Sequence, residues 1–459
     1  MTEVLIIGAG PGGLHAARSA LDAGAQVTLL DSHDLVGGQF WRHLPPERAA
    51  AHQERLHHGW KTFQRLRFRL EADLRCRILT STEVWAIEPG TDGAAARVHA
   101  LTGPSGALHR EEVVLTPDRL VLATGAHDRV LPFPGWELPG VFSAGAAQAL
   151  AKGERVAVGD RVLVAGAGPF LLATAASLVA TGVTVLGVHE AAGAPALRRG
   201  WLSRPWELAR SGSKLKEFTE YAGLHLRHRI PYLTGSAVIA AQGDGRVESV
   251  RVARLDDEWQ PISGTERDIP VDAVAVSHGF TPRLELAIAA GCRITAHRFV
   301  EIADDQRTTV PGVYAAGELT GVGGMALSAA EGAIAGYAAA GGAIPEQLLS
   351  ERARHRAFAL RIERAHGIRP GWTDWLTDDT TICRCEDVPY RDLALDDVPS
   401  RSLRASKLAT RAGLGICQGR TCGRTVEDLL GRGPGLLGTT TTDRRPIAAP
   451  VRLGEFARD

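Results

Sequence analysis

The chain has 459 residues, of which 44% are hydrophobic and 23% charged, an ordinary balance for a globular protein of about three domains. Lys and Arg together number 52, as do Asp and Glu, so the formal net charge of zero argues against a general affinity for nucleic acid or an anionic membrane. The opening MTEVLIIGAG lacks the features of a signal peptide, and later apolar stretches are too short to span a bilayer. We therefore expect a cytoplasmic protein without a transmembrane segment.

Up to about residue 350, short runs of Val, Leu, Ile and Ala alternate with Ala-rich helical stretches, which predicts parallel sheets with crossover helices. The Arg-rich residues 351–372 predict a connecting helix that stops at Pro370 and Gly371. The last stretch, from Asp443, is interpreted as extended. We predict a first dinucleotide-binding domain in two parts, 1–125 and 280–350; a second one inserted between them, 126–279; a connecting helix, 351–376; a four-cysteine domain, 377–432; and a tail, 433–459.

A strand at residues 4–7 leads into a glycine-rich turn and a helix, and this turn contains Gly8, Gly10, Pro11, Gly12 and Gly13. Gly8 permits a tight turn, Gly10 lets the backbone approach a pyrophosphate, and Gly13 lets the helix pack close to the strand. The helix start offers unpaired N–H groups to phosphates. Asp31 ends the next strand, where its carboxylate can accept hydrogens from ribose hydroxyls. These features predict a dinucleotide with an unphosphorylated ribose.

The same strand, turn and helix pattern recurs at residues 162–171. Gly166 and Gly168 repeat the first two glycines, but Leu171 occupies the third position and predicts a looser or differently shaped phosphate cradle. Glu190 follows the next strand and could bind a ribose. The nearest arginines, Arg198 and Arg199, come only after a loop, which disfavours NADP without excluding it. Three interpretations compete for this second site: a working NAD site, a site for another adenine nucleotide such as ATP, or a retained fold without ligand.

Several motifs resemble those of the two-dinucleotide-binding flavoproteins, which include thioredoxin reductase-like enzymes. They are GAGPGG, Asp31, GGQ (37–39), ATGA (123–126) and PGVYAAGE (311–318). The resemblance implies FAD at the first site, with an acidic residue on the ribityl chain; the usual Asp is Glu318 here. It also implies further FAD-binding positions at Gly38, Gln39, Val84, Ala123, Thr124, Gly125 and Gly317.

Six cysteines are present, and four of them, Cys383, Cys385, Cys417 and Cys422, crowd into one segment. The separate Cys76 and Cys292 are better interpreted as small buried hydrophobic residues than as a redox pair, so dithiol chemistry is not predicted.

The CxC and CxxxxC pairs of the C-terminal segment supply four thiolates, enough for a [2Fe–2S] cluster or a structural zinc ion. CxC is less typical of zinc sites. Nearby glycines can point N–H groups at the sulfurs, and nearby arginines can offset the cluster's charge. These features favour iron–sulfur; the glycines are Gly413, Gly415, Gly419 and Gly423, and the arginines are Arg384, Arg411, Arg420 and Arg424.

The segments TTICRCEDV (380–388) and KLATRAGLGICQGRTCG (407–423) resemble the bacterioferritin-associated ferredoxin-like [2Fe–2S] domain, a small α-helical domain. With RVLPFPGWELPGVFSAGAAQALAK (129–152) and GAGPFLLA (166–173), they resemble the FAD subunits of opine oxidases, hydroxyproline and proline dehydrogenases and the cyanide-forming glycine dehydrogenase. The resemblance implies an α/β fold with two Rossmann-like domains plus this C-terminal domain.

In that family the chain is the alpha-type subunit of a hetero-oligomer, beside an amine-oxidising flavoprotein and sometimes a small ferredoxin-like subunit. The resemblance therefore implies an FAD-dependent oxidoreductase that acts, within a complex, on CH–NH or CH–NH2 donors and relays electrons to an acceptor. No Ser/His/Asp, HExxH or paired-carboxylate arrangement stands out, which agrees with a relay. Two alternatives are a self-sufficient NADH-dependent flavin reductase and a nucleotide-binding scaffold subunit with structural zinc.

Overall fold

The computed structural model describes residues 1–48, 53–90, 96–203, 212–393, 403–431, 443–445 and 447–456. The chain divides into two compact units. The first comprises Met1–His127, Pro282–Ala359 and Asp443–Asp459, and the second comprises Asp128–Thr281 and Leu360–Thr442.

Twenty strands lie in the described residues. They are β1 Glu3–Ile7, β2 Gln26–Leu30, β3 Cys76–Leu79, β4 Thr82–Glu88, β5 Arg97–Thr102, β6 Glu111–Leu115, β7 Arg119–Leu122, β8 Ala126–Asp128, β9 Val141–Ser143, β10 Arg161–Gly166, β11 Thr184–Glu190, β12 Tyr232–Thr234, β13 Ser236–Gln242, β14 Ser249–Arg254, β15 Arg267–Pro270, β16 Ala273–Ser277, β17 Phe280–Pro282, β18 Val313–Ala315, β19 Thr381–Cys383 and β20 Val388–Pro389.

The α-helices of the described part are α1 Pro11–Asp22, α2 Trp60–Ala72, α3 Ala144–Ala149, α4 Phe170–Val179, α5 Ala194–Leu202, α6 Gly212–Arg227, α7 Glu285–Ala289, α8 Gly324–Ala339, α9 Glu346–His366, α10 Leu403–Thr410, α11 Gly423–Leu430 and α12 Leu453–Phe456. A π-helical turn follows α3 at Leu150–Glu154. Short 3₁₀ helices lie at Pro46–Arg48, Gln53–Arg55, Gly317–Leu319, Pro370–Trp375 and Tyr390–Leu393.

The first unit is built on a five-stranded parallel sheet in the order β18-β7-β1-β2-β3. Successive side chains of β1 enter opposite faces: Val4 and Ile6 lie in one apolar cluster, and Leu5 and Ile7 lie in another. A run of four apolar residues, Val4 to Ile7, is what a sheet covered on both faces requires. A separate antiparallel sheet, β4-β5-β6, completes this unit.

The second unit repeats this plan, with a parallel sheet in the order β12-β11-β10-β16-β9. Val162 and Val164 of β10 enter one cluster, and Leu163 and Ala165 enter the other. An antiparallel sheet, β13-β14-β15, accompanies it. The two parallel sheets confirm the predicted pair of Rossmann-like units.

The cysteine segment belongs to the second unit and shares an apolar core with it. Cys383 and Cys422 pack in one cluster with Trp259, Trp372 and Trp375. The four-cysteine segment 377–432 therefore packs on the body of the second unit, and its status as a domain stays a prediction.

The Arg-rich helix differs from its predicted bounds, since α9 begins at Glu346 and ends at His366. Gly367 follows, and the residue before Pro370 is extended, because a proline disfavours helical geometry in the residue that precedes it. The predicted tail, 433–459, lies partly outside the described residues. Its described part contains the short helix α12, where the extended prediction was wrong, and Glu455 of α12 pairs with Arg110 through two hydrogen bonds of 2.9 Å.

None of the helices in the described part of the chain combines the length and the apolar character that crossing a bilayer requires.

Helices α1 and α8 pack so closely that their backbones are in contact. A Cβ added to Gly332 of α8 would lie 2.0 Å from the carbonyl oxygen of Gly12. A Cβ on Gly336, one turn later, would lie 2.2 Å from the carbonyl oxygen of Ala16. Only glycine permits this packing, because those distances are far below van der Waals contact.

We predict that Gly332→Ala destabilises the protein by about 1–3 kcal/mol, because the added methyl group overpacks the α1–α8 contact. Gly223→Ala is the matched control, since Gly223 also lies inside a helix but has no atom within 4 Å of an added Cβ. This control should be neutral or stabilising by up to ~1 kcal/mol. The test compares the thermal unfolding midpoints of the wild type and the two variants. Equal midpoints for both variants would contradict the packing argument.

Candidate functional site

The first glycine turn has the backbone geometry that a dinucleotide cradle requires. Gly8 has a positive φ of 104°, and a Cβ there would lie 2.3 Å from the carbonyl oxygen of Ala123. A Cβ on Gly13 would lie 1.7 Å from the carbonyl oxygen of Gly8. The sequence-based roles of these two glycines therefore agree with the close contacts around them.

Helix α1 begins at Pro11, three residues earlier than the sequence suggested, and no side chain caps its first turn. Its leading N–H groups thus remain available to an anion, and Pro11 lacks an N–H in any case. The second predicted turn lies against the first, because a Cβ on Gly38 would lie 2.8 Å from Cα of Gly10. Gly38 and its neighbour Gln39 are therefore positioned beside the cradle.

Asp31 lies at the end of β2, 7% exposed. Its carboxylate accepts hydrogen bonds from the backbone N–H of Ala9 at 2.6 Å and of His33 at 2.9 Å. These bonds fix the carboxylate beside the glycine turn, where a ribose would lie. The role of Asp31 as a ribose ligand stays a prediction.

The ATGA turn and Val84 differ in how they can contribute to the site. Thr124 donates its hydroxyl to the carbonyl oxygen of Arg283 at 3.0 Å, and the Arg283 N–H donates to Gly125 at the same distance. The Val84 side chain packs in the core cluster with Leu5. Any contact from position 84 to a cofactor would therefore come from its backbone.

Glu318, in the turn after β18, is half-buried and held by backbone N–H groups. Its Oε1 accepts from Gly324 at 2.9 Å and from Gly323 at 3.4 Å. Burial raises the pKa of the Glu318 carboxyl to about 7, and the nearby Glu331 carboxylate adds to this rise. A carboxyl group that changes protonation near neutral pH can accept or donate a hydrogen bond to a polyol hydroxyl. The first unit therefore fits FAD.

The second glycine turn starts like the first and then diverges. A Cβ on Gly166 would lie 1.7 Å from the carbonyl oxygen of Ser277. Leu172, which corresponds to Leu14 of the first turn, forms a 3₁₀-type i→i−3 hydrogen bond to Pro169 at 3.2 Å, whereas Leu14 forms an α-helical i→i−4 bond to Gly10 at 2.9 Å. Helix α4 begins only at Phe170. The cradle is thus differently shaped, as Leu171 suggested.

Glu190, the predicted ribose ligand of the second site, is fully buried and already engaged. Its oxygens accept from Gly168 N–H and Ala192 N–H, each at 2.9 Å, and from the Tyr232 hydroxyl at 3.1 Å. Nδ1 of His366 lies 3.1 Å from the same carboxylate. The Trp201 indole N–H donates to the other ring nitrogen of His366 at 3.1 Å. Glu190 thus has the backbone partners that Asp31 has and, in addition, the Tyr232 hydroxyl, and its role as a ribose ligand stays a prediction.

The four clustered thiols lie close enough to shift one another's pKa values. Cys383 interacts with Cys422, both buried, and Cys385 interacts with Cys417, both half-buried. The interaction lowers the pKa of the Cys383 thiol and raises that of Cys422. Within the described residues, no group of three or more His, Cys, Asp or Glu side chains is arranged to hold one metal ion.

The backbone and arginines around these thiols follow the prediction only in part. The Gly413 N–H donates to Sγ of Cys383 at 3.5 Å, as expected. However, Arg411 pairs with Glu386 at 2.6 Å, Arg384 lies over the Trp136 ring at 5.2 Å, and Arg424 pairs with Asp428. These three arginines were predicted to offset the negative charge of a cluster. In the structure they contact two carboxylates and an aromatic ring instead.

Aromatic residues attach the cysteine segment to the rest of the second unit. The Trp136 indole N–H donates to the carbonyl oxygen of Thr381 at 2.5 Å, and that of Trp375 donates to Trp259 at 3.0 Å. Arg129 forms an ion pair with Asp428 of α11. The thiol pairs therefore lie on a fixed support.

Cys76 and Cys292 behave as small apolar residues. Burial raises the pKa of Cys76 to about 11 and also raises that of Cys292. A thiol with a raised pKa is a poor nucleophile at neutral pH. This supports the interpretation that they carry no redox chemistry.

Sequence reasoning missed four residues that contact the predicted sites: Glu331, Arg356, Tyr232 and His366. One of them had a signal, since Glu331 is the single charged residue in the sequence of α8, GMALSAAEGAIAGYAA. A lone carboxylate among small apolar residues indicates a buried, paired group.

Comparison with known proteins identifies the family. The profile described as pyridine nucleotide-disulphide oxidoreductase matches residues 2–334. The chain belongs to this family. It is thereby an enzyme of the oxidoreductase class.

Two curated relatives extend the similarity through the cysteine segment. An opine oxidase subunit from Rhizobium meliloti is 32% identical, over 99% of this chain and 87% of the relative. Hydrogen cyanide synthase subunit HcnB of Pseudomonas aeruginosa is 31% identical, over 94% of this chain and 93% of the relative. The predicted resemblance to this group is confirmed.

Solved structures agree on the fold. L-proline dehydrogenase from P. horikoshii matches with a TM-score of 0.68 and 20% identity, over 100% of this chain and 79% of that chain. T. acidophilum thioredoxin reductase matches with a TM-score of 0.51 and 21% identity, over 74% of this chain and 99% of that chain.

We predict that Glu318→Gln removes a pH-dependent cost to the FAD-free protein. Because the folded pKa of about 7 lies above the ordinary value, the carboxyl group destabilises the fold progressively as pH rises toward 7. The thermal midpoint of the variant should therefore gain on that of the wild type between about pH 5 and 7, then level off. A constant difference across that range would contradict the assignment.

Proposed function

We propose that the chain is the FAD- and [2Fe–2S]-containing electron-transfer subunit of a hetero-oligomeric amine or amino-acid dehydrogenase. The observation that carries the proposal is the arrangement of four thiols as two contacting pairs, in a chain that also has a complete dinucleotide cradle. Neither feature alone distinguishes a relay from an ordinary reductase.

The first unit would hold FAD. The glycine turn and the start of α1 would bind its pyrophosphate, Asp31 a ribose, and Glu318 the ribityl chain. FAD can exchange one or two electrons, and a [2Fe–2S] cluster passes single electrons. Thr124 and Gly125 would keep the neighbouring turn in place through their bonds to Arg283.

The thiol pairs would hold the cluster. Each iron of a [2Fe–2S] cluster takes two thiolates and two bridging sulfides, so two separate thiol pairs suit it. A structural zinc ion would also take four thiolates, so metal analysis has to distinguish the two. The Gly413 N–H would stabilise a sulfur of the buried pair.

The partner would be a separate flavoprotein that oxidises an opine, hydroxyproline, proline or related amine, with a small ferredoxin-like subunit in some complexes. The relatives' names support this, since both matches are subunits of an opine oxidase or a cyanide synthase. A place in the reducing cytoplasm is part of the proposal, because all six cysteines, each within the described residues, are free thiols.

The second site argues against the NADH-dependent reductase. A ribose at Glu190 would compete for Oε2 with the Tyr232 hydroxyl and His366. Replacing these partners would cost the carboxylate its existing hydrogen bonds. We therefore propose that the parallel sheet of this unit supports the thiol segment and does not serve as a nicotinamide site.

The decisive test is anaerobic purification with iron, sulfide and zinc analysis and a visible spectrum before and after dithionite. About two irons per chain and absorption beyond the flavin bands are expected. Cys385→Ser should lose most of the iron and keep FAD, whereas the control Cys292→Ser should keep both. Zinc in place of iron in the wild type would overturn the relay proposal.

A second test separates the relay from the reductase. Under anaerobic conditions NADH should leave the flavin bands unchanged within minutes, while dithionite bleaches them. Rapid bleaching by NADH would restore the reductase as the leading function. The same outcome would show that the contacts of Glu190 open readily.

A further inference from the structure

The turn that carries Glu318 is fixed from behind by a second carboxylate. Glu331 of α8 is fully buried, and its Oε2 accepts the Gly317 N–H at 3.0 Å and the Thr320 hydroxyl at 2.6 Å. Gly317 has a positive φ of 79°, and Thr320 directly follows the 3₁₀ turn. One carboxylate oxygen therefore holds both ends of this turn.

The other oxygen of Glu331 is held by a residue of the next helix. Arg356 of α9 donates to Oε1 of Glu331, and the same guanidinium nitrogen lies 3.4 Å from the carbonyl oxygen of Thr320. A buried carboxylate needs such a partner, because an unpaired charge in the protein interior is strongly unfavourable. Arg356 thus determines where Glu331, and with it the turn, can lie.

The two carboxyl groups at this turn have different environments. Glu331 has a guanidinium counter-charge, whereas Glu318 is held by the N–H groups of Gly323 and Gly324 and by the Ser328 hydroxyl. Their difference matters because like charges so close together disfavour each other. With the negative charge of Glu331 compensated by Arg356, Glu318 remains the group that is free to bind a ligand hydroxyl.

We propose that the Glu331–Arg356 ion pair is a positioning device that holds the Gly317–Glu318 turn in its flavin-binding form. Both residues contact the turn at Gly317 and Thr320 and act through it. The inference rests on the proposed FAD site. It adds that helix α9, which follows the family's matched region of residues 2–334, determines how tightly the flavin is held.

The test measures FAD affinity of the FAD-free full chain by quenching of flavin fluorescence. Arg356→Met removes the guanidinium and keeps the apolar stem, and it should weaken FAD binding at least about tenfold, as loss of a charged hydrogen bond implies. Arg356→Lys retains the charge and should keep most of the affinity. Far-UV circular dichroism and the thermal midpoint of each FAD-free variant report folding separately.

Arg352→Met is the matched control. Arg352 lies one turn earlier on α9 and pairs with Asp304 at 2.7 Å, but it does not contact the flavin turn. Its loss should leave FAD affinity unchanged. If both methionine variants weaken binding equally, the effect belongs to helix stability and the proposal is overturned.

The double variant Glu331→Gln with Arg356→Met guards against misfolding, since it leaves no unpaired buried charge. It should fold and still bind FAD more weakly than the wild type, because nothing then orients the side chain at position 331. Wild-type affinity in this folded double variant would overturn the positioning role. If the wild-type chain itself bound no FAD, the proposed function would fail instead.

Discussion

The structure of the first unit depends on how closely two backbones can approach. Gly332 of α8 lies against the backbone of Gly12 of α1, and Gly13 lies against the backbone of Gly8. Neither Gly332 nor Gly13 has room for a side chain. This contact brings the start of α1 beside the turn at Gly317 and Glu318, which α8 holds from the other side. The first glycine turn and the Glu318 carboxyl group are thus joined through one tightly packed pair of helices.

The second unit lacks the close packing of helix against turn that Gly13 permits in the first unit. Gly166 still contacts Ser277 closely, but Leu171 replaces the glycine that would let the helix start beside the strand. The helix then begins later, and Glu190 finds its partners within the protein, in Tyr232 and His366. The same sheet topology therefore accompanies a complete glycine turn in one unit and a more extensive internal hydrogen-bond network in the other. Electron transfer would then rely on the first unit and on the thiol pairs.

The cysteine segment obtains its stability from the unit that carries it. Its thiols pack with Trp259, Trp372 and Trp375, and Arg129 pairs with Asp428 of α11. A small metal-binding segment seldom has enough apolar surface for a core of its own, so a shared core suits it. The nearby arginines contact carboxylates and an aromatic ring of the same unit, so they help to hold the cysteine segment in place.

The sequence by itself determined the two parallel sheets, the glycine turn with Asp31, and the crowding of four cysteines. These follow from local rules: apolar runs of strand length, glycine at positions of close approach, and ligand spacing along the chain. Only the tertiary structure decided which groups meet across long separations. Glu331 meets Arg356, and Glu190 meets His366, because α8 and α9 are fixed by packing that no local pattern encodes. Whether a buried carboxylate is free for a ligand depends on such partners, and therefore on the fold.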